Sequence, residues 1–241
     1  MAVHNLYLDL EYLSNIELYY TSPGNCKEDF IIIDGEEFKH IVKVMRHSAG
    51  DEVYVTNGAG QIFNGFIKDI SKDYLTISIN KIFNYENNLS GITFCIPKLK
   101  NPERFEFALE KSTEMGITNF IVYDAERSIS KSAKIERWNK IILSAMKQSL
   151  RSFLPVISTS NSLKEICKLN GEKIIFEQNA EKSFIKFEVR EGKKYYFIFG
   201  PEGGLTSKEL GLFDKNKFHK LAENRLRTET AVVKCAALLG K

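Results

Sequence analysis

"FIFGPEGGLTSKEL", residues 197–210, runs from aromatics and an isoleucine into Gly-Pro-Glu-Gly-Gly and then into a helix start. A plain turn needs one glycine. Three glycines with a proline indicate a backbone shaped to let something approach closely. Thr206 and Glu209 fit a capping box, in which each side chain closes a backbone amide left open at the helix start. Two readings stand here: a tight turn feeding a capped helix, or a loop that binds a flat or anionic ligand. It is not a P-loop, since no Gly-Lys-Ser/Thr follows, and GxGxxG is absent.

The same strand-to-helix rhythm extends on both sides. "ITFCIP" (92–97) reads as a buried strand, and Asn101-Pro102 opens an amphipathic helix that Gly116 stops. "NFIVYD" (119–124) is a strand, followed by a helix from about Ser132 to Leu150 that ends before Pro155. "EKIIFEQ" (172–178), "KKYYFIFG" (193–200) and "KFHKLA" (217–222) supply further strands, with helices after Gly204 and Thr228. This alternation predicts an α/β domain with a mostly parallel sheet, whose ligands sit beyond the carboxyl ends of the strands. GPEGG lies at such an end.

The first third differs. "DFIIID" (29–34), "DEVYVTNGAGQIFNGFIKDI" (51–70) and "DYLTISINKIF" (73–83) are β-branched and aromatic runs, with "NGAG" at 57–60 as a hairpin cue. One helix, "EEFKHIVKVMRHSAGD" (36–51), interrupts them. A small, mostly antiparallel barrel or sandwich is expected, joined to the α/β part by the polar "NYENNLSG" (84–91).

Composition bounds the function. A chain of 241 residues with 43% hydrophobic and 27% charged residues reads as a globular protein with a substantial core. No apolar run approaches the ~20 residues of a membrane span. The start, MAVHNLYLDLEYLSN, lacks an export signal, and Cys26, Cys95, Cys167 and Cys235 form no CxxC pair, so a reduced cytoplasmic location is expected. Neither cysteines nor the four histidines suggest a metal site.

Three further stretches carry charge or polar chemistry. In "LAENRLRTETAVVKCAALL" (221–239), Thr228 is expected to cap a helix and Glu229 to favour its dipole, while Arg225, Arg227, Thr228 and Thr230 crowd the corner where a second ligand loop belongs. In "KIERWNKIILSAMKQSLR" (134–151), Arg137, Lys140, Lys147 and Arg151 share one face. Residues 131–151 hold six basic residues against Glu136 alone. Such a stripe is either a solvated face or a phosphate-backbone footprint. Arg127, Ser128, Ser130 and Lys131 either contact phosphate or solvate their loop.

Together these segments resemble the 16S ribosomal RNA uridine-N3 methyltransferases of the trefoil-knotted SPOUT superfamily, along nearly the whole chain. "HIVKVMRHSAGDEV" (40–53) is similar to the family's barrel-domain helix and strand entry, "EKSTEMGI" (110–117) and "ERS" (126–128) to its Lys-x-Thr-Glu-Leu-Gly and Glu-Arg-Ser segments, "AMKQSLR" (145–151) to its Glu-Gln-Ser-x-Arg helix, and "FGPEGGLTSKEL" with "LRTETA" (226–231) to its cofactor loops. Ala222, Asn224 and Lys147 depart from the usual Gly, Arg and Glu, and residues 1–15 read as a possible extension.

The resemblance implies an N-terminal PUA-like β-barrel RNA-binding domain at 1–84 and a knotted SPOUT methyltransferase domain at 91–241. It implies S-adenosyl-L-methionine held by Phe199, Gly200, Glu202, Gly203, Gly204, Leu221, Asn224, Leu226, Arg227, Thr228, Thr230 and Ala231. Arg227 and Arg127 are the candidates for stabilising charge on the uracil, with Glu202, Glu126 or Glu229 accepting the N3 proton. RNA contacts are expected from Arg46, with His47 beside it, and from Lys98, Arg127, Ser128, Arg137, Lys140, Lys147, Gln148 and Arg151. The implied partner is 16S rRNA or the small ribosomal subunit, with a homodimer as the assembly and no metal. A SPOUT enzyme acting on tRNA, and a silent RNA-binding or assembly protein of the same fold, remain as alternatives.

Overall fold

The computed structural model describes residues 13–128 and 134–240. The possible extension up to residue 12, Ser130, Lys131 and the expected helix start at Ser132 lie outside the described residues. The chain forms two compact units, residues 1–86 with 147–153, and residues 87–146 with 154–241.

In the first unit, β1 (Leu18–Tyr20), β2 (Phe30–Asp34), β3 (Glu52–Thr56), β4 (Gln61–Ile70) and β5 (Tyr74–Asn84) form a sheet in the order β1-β3-β4-β5-β2. All pairs are antiparallel except β1 with β3. Period-two alternation buries Ile31 and Ile33, Val53 and Val55, and Leu75 and Ile77 on one face. Asn57 closes the hairpin by accepting the Ala59 amide at 2.8 Å. A register shift at Asn64/Gly65 bends β4, and a Cβ on Gly65 would meet the Ser78 carbonyl oxygen at 2.3 Å, so only glycine fits there. The expected helix is a short α1 (Gly35–Lys39) continued by a π-helical turn, His40–Val44.

In the second unit, β6 (Ile92–Pro97), β7 (Asn119–Tyr123), β8 (Val156–Ser160), β9 (Glu172–Phe176), β10 (Lys182–Ser183), β11 (Tyr195–Ile198) and β12 (Phe218–Lys220) make one sheet, ordered β10-β12-β9-β11-β6-β7-β8. Every pair is parallel. Such strands are buried on both faces. Phe94, Ile96, Phe120 and Phe197 pack beneath α2 (Pro102–Glu114), α3 (Ile135–Gln148) and α6 (Thr228–Leu239) through Leu109, Trp138 and Val232. Cys95, Tyr123, Ile175 and Ile198 face the other way, against Leu163 and Ile166 of α4 (Leu163–Cys167) and against Leu205. The short α5 (Ser207–Leu210) follows GPEGG.

Candidate active site

Beyond the carboxyl ends of β6, β7, β11 and β12, four loops are tied into one cluster. At the end of β11, the buried Phe199 donates its amide to Cys95 O at 3.0 Å and accepts the Tyr123 hydroxyl at 2.5 Å. Burial raises the Tyr123 pKa well above its ordinary value, so the group stays a donor. One residue on, Gly200 O accepts the Thr228 hydroxyl at 2.8 Å. That bond joins the GPEGG loop to the start of α6.

It also corrects the sequence expectation for Thr228. The N-cap of α6 is Arg227 and makes no side-chain cap; Thr228 lies inside the first turn, and its hydroxyl reaches across to the other motif. Local spacing shows where a hydroxyl can cap, and a distant carbonyl took it instead.

The remaining ties are equally specific. Arg127 Nη1 donates to Gly203 O at 2.7 Å, Arg225 Nη2 to Glu202 O at 3.4 Å, and the Lys100 amide to Glu202 Oε1 at 3.1 Å. The Thr206–Glu209 capping box forms as expected. Glu209 Oε1 also accepts the Glu126 amide at 2.9 Å, while Glu126 receives the Thr206 hydroxyl at 2.8 Å and Lys208 at 3.1 Å. The Thr206 hydrogen bond, then Lys208, hold the Glu126 carboxyl below the usual range. Gln178 reaches the Ala222 and Glu223 carbonyls at 3.3 and 2.9 Å, so the departure at Ala222 sits in a loop fixed through its backbone.

Of the three motif glycines, only Gly204 needs to be glycine for its backbone, with φ +70°. A Cβ on Gly200 would make an ordinary 3.5 Å contact with Leu205, and one on Gly203 would lie 3.4 Å from Arg127 Cδ. Those two positions offer clearance. Leu221 is buried, and Leu226 and Ala231 pack on the core from the other loop. Glu202, Asn224, Arg227 and Thr230 are exposed at the rim.

Sequence reading did not separate the three carboxylates; the structure does. Both Glu126 oxygens are engaged and one Glu202 oxygen is taken. Glu229 is only 8% exposed; its Oε1 lies 3.6 Å from Arg104 Nε, and its Oε2 has no hydrogen-bond partner. A buried acceptor without a donor calls for an explanation in function or ligand. Arg104 was not singled out from sequence; its place in the first turn of α2 gave no signal beyond ordinary helix solvation.

The expected RNA contacts divide. Arg46, Arg127, Lys140 and Gln148 are exposed and Ser128 half-buried. Lys98, expected to contact RNA, is 8% exposed and pairs with Asp124 at 2.9 Å. Arg137 pairs with Glu106 at 2.6 Å and Lys147 with Glu37 at 2.9 Å, and Arg151 is half-buried with its pKa lowered by burial. The stripe is therefore partly neutralised by acids from distant elements.

A separate cavity of about 520 Å³ borders Glu172 and Tyr195, the first residues of β9 and β11, with Lys182, Arg190 and His219. Among the described residues no group of His, Cys, Asp and Glu is placed to hold a metal ion, and no helix is long and apolar enough to cross a membrane.

Residues 86–240 match the family described as RNA methyltransferase domain, and residues 33–80 the RNA methyltransferase PUA domain. Ribosomal RNA small subunit methyltransferase E of Bacillus subtilis is 29% identical over 217 residues, covering 83% of this chain and 85% of that protein. Its namesake in Buchnera aphidicola is 30% identical, covering 85% of each. The Neisseria gonorrhoeae ribosomal RNA small subunit methyltransferase E, solved bound to S-adenosyl methionine, superposes with a TM-score of 0.79 at 25% identity, over 93% of this chain and 96% of that one. A probable rRNA-methyltransferase from Porphyromonas gingivalis gives 0.79 at 27% identity, over 93% and 97%. The fold is accordingly the expected SPOUT α/β domain with a small PUA-like β domain, and the chain belongs to the RNA methyltransferase family.

Proposed function

We propose that this protein transfers a methyl group from S-adenosylmethionine to N3 of a uridine in small-subunit ribosomal RNA. The observation that carries the reading is the 2.8 Å bond from Thr228 to Gly200, which makes the two motif loops one site at the carboxyl ends of a parallel sheet. The residues present fit the cofactor. Gly200, Gly203 and Ala231 leave clearance, Leu221 and Leu226 offer apolar surface, and the unpartnered Glu229 oxygen suits a cationic, donor-bearing ligand. Phe199, Gly200, Glu202, Gly203, Gly204, Leu221, Asn224, Leu226, Arg227, Thr228, Thr230 and Ala231 would hold it.

When bound, the cofactor supplies an electrophilic methyl group on a sulfonium. The chain's own task is to expose the base, align N3 and ease loss of its proton. Arg127 and Arg227 stabilise the negative charge that develops on the uracil. Arg127 is already oriented by its bond to Gly203 O. Glu202 and Glu229 are the acceptors for the proton, since Glu126 is engaged through both oxygens. RNA is gripped by Arg46, Arg127, Ser128, Lys140 and Gln148, with residues 1–84 as the RNA-binding domain and 91–241 as the catalytic one. A ribosomal RNA substrate supports a cytoplasmic location, and the family resemblance supports a homodimer, whose mass light scattering would report.

Transfer of labelled methyl to small subunits lacking the modification, beside free ribosomal RNA and tRNA, tests this. Label in the small-subunit RNA is expected. Label in tRNA alone would overturn the substrate, and absence of both label and cofactor binding would leave a silent RNA-binding protein.

A further inference from the structure

In the first unit, Arg46 has φ +60°, a left-handed backbone otherwise found at only one described non-glycine residue, Leu150. Glycine or asparagine adopts it cheaply; arginine costs stability, and such outliers cluster where function needs them. The conformation is imposed from both sides. The preceding π-helical turn closes through the Met45 amide on His40 O at 2.9 Å and the His47 amide on Ile41 O at 3.1 Å. The following residue, His47, is pinned: its Nδ1 lies 3.1 Å from Asp51 Oδ2 and its Nε2 3.1 Å from the Tyr19 hydroxyl. A carboxylate only accepts, so in the neutral ring Nδ1 carries the proton and Nε2 accepts from Tyr19. Asp51 is fixed by the Ser48 amide at 2.9 Å, and Tyr19 is buried within β1.

Three acids around this turn are already engaged. Glu36 pairs with Lys39 at 2.6 Å, Glu37 with Lys147 at 2.9 Å, and Asp51 with His47. Among the described residues Arg46 makes no ion pair, and it is exposed beside exposed Lys43. A guanidinium held out in a costly backbone with no internal partner suits a bidentate external anion. We propose that Tyr19, His47 and Asp51 are positioning residues that hold Arg46 out to a phosphate of the RNA backbone. This rests on the RNA methyltransferase function above and adds to it the device that sets the grip.

The test compares wild type with Arg46→Gly, His47→Ala, His47→Gln and the Arg46→Gly/His47→Ala double variant, by thermal melting, cofactor affinity, RNA affinity against salt, and steady-state methyl transfer. Arg46→Gly melts no lower than wild type, because the strain is relieved. It binds small-subunit RNA about tenfold more weakly, with a salt slope shallower by about 0.7–0.9, the share of one phosphate contact. The loss falls on KM for RNA, not on kcat or cofactor affinity. His47→Ala loses affinity in the same way. His47→Gln recovers it, because its amide offers a donor to Asp51 and an acceptor to Tyr19. The double variant binds no more weakly than Arg46→Gly. Unchanged RNA affinity and slope in Arg46→Gly, or additive losses in the double variant, would overturn the positioning role while wild-type RNA binding leaves the function standing. A wild type that neither binds nor methylates RNA would overturn the function, and the device with it.

Discussion

Thr228→Val swaps a hydroxyl for a methyl of similar shape, so it removes the Gly200 bond without opening a cavity. Thr228 is buried, and its 2.8 Å bond to Gly200 O is the shorter of two direct ties between the loops, the other being the 3.4 Å bond from Arg225 to Glu202 O. Losing such a bond at a part-buried carbonyl costs about 0.5–1.5 kcal/mol. For a domain of this size each kcal/mol lowers the melting midpoint by about 2–4 °C. If the loops separate in the free protein, the cofactor must restore the closed form, and 1.4 kcal/mol of that cost weakens binding about tenfold. Calorimetric titration of S-adenosylmethionine and scanning calorimetry on Thr228→Val, with Thr228→Ser as the hydroxyl-retaining control, measure both terms. The valine variant should show both losses and the serine variant neither in full. Wild-type cofactor affinity in Thr228→Val would refute the claim that this bond builds the site.

Gly204→Ala should cost about 1–2 kcal/mol in chemical denaturation because of its φ of +70°, whereas Gly203→Val should keep the fold and abolish cofactor binding, as calorimetry would show. Lys140→Glu should weaken RNA binding and flatten its salt dependence; Lys147→Glu should in addition lower stability by breaking the pair with Glu37, so melting curves separate the two. The Asp51 and Glu126 carboxyls are both held below their ordinary pKa, Asp51 chiefly by the Ser48 amide and Glu126 chiefly by Thr206. A depressed folded pKa stabilises above the unfolded value, about 4, and that contribution is lost as pH falls through the lower folded value. Urea midpoints should therefore drop on acidification below about pH 4, and less so in Glu126→Gln; an equal drop would remove Glu126 from the account.

Strands with a clean burial pattern were legible in the sequence. Ile31 and Ile33, or Leu75 and Ile77, alternate strictly, and the Thr206–Glu209 box formed as its spacing required. What was missed had no such signal. β8 is the edge strand Val-Ile-Ser-Thr-Ser, largely exposed, and β1 is three residues held by a parallel neighbour. The basic stripe was legible as an angle on a helix, but its partners were not, since Glu106 lies 31 residues from Arg137 and Glu37 lies 110 from Lys147. The motif loops could be placed at strand ends; that Thr228 would bond Gly200, and that Glu229 would be buried beside Arg104, depends on long-range packing.

The central claim is a methyl group on N3 of a uridine in small-subunit RNA. Mass spectrometry of nucleosides released from that RNA, after incubation with the protein and S-adenosylmethionine, tests it most directly. The account predicts 3-methyluridine in stoichiometric yield, absent when Gly203→Val replaces the wild type. A methyl group on another atom or another RNA, or no methylated nucleoside at all, would contradict it.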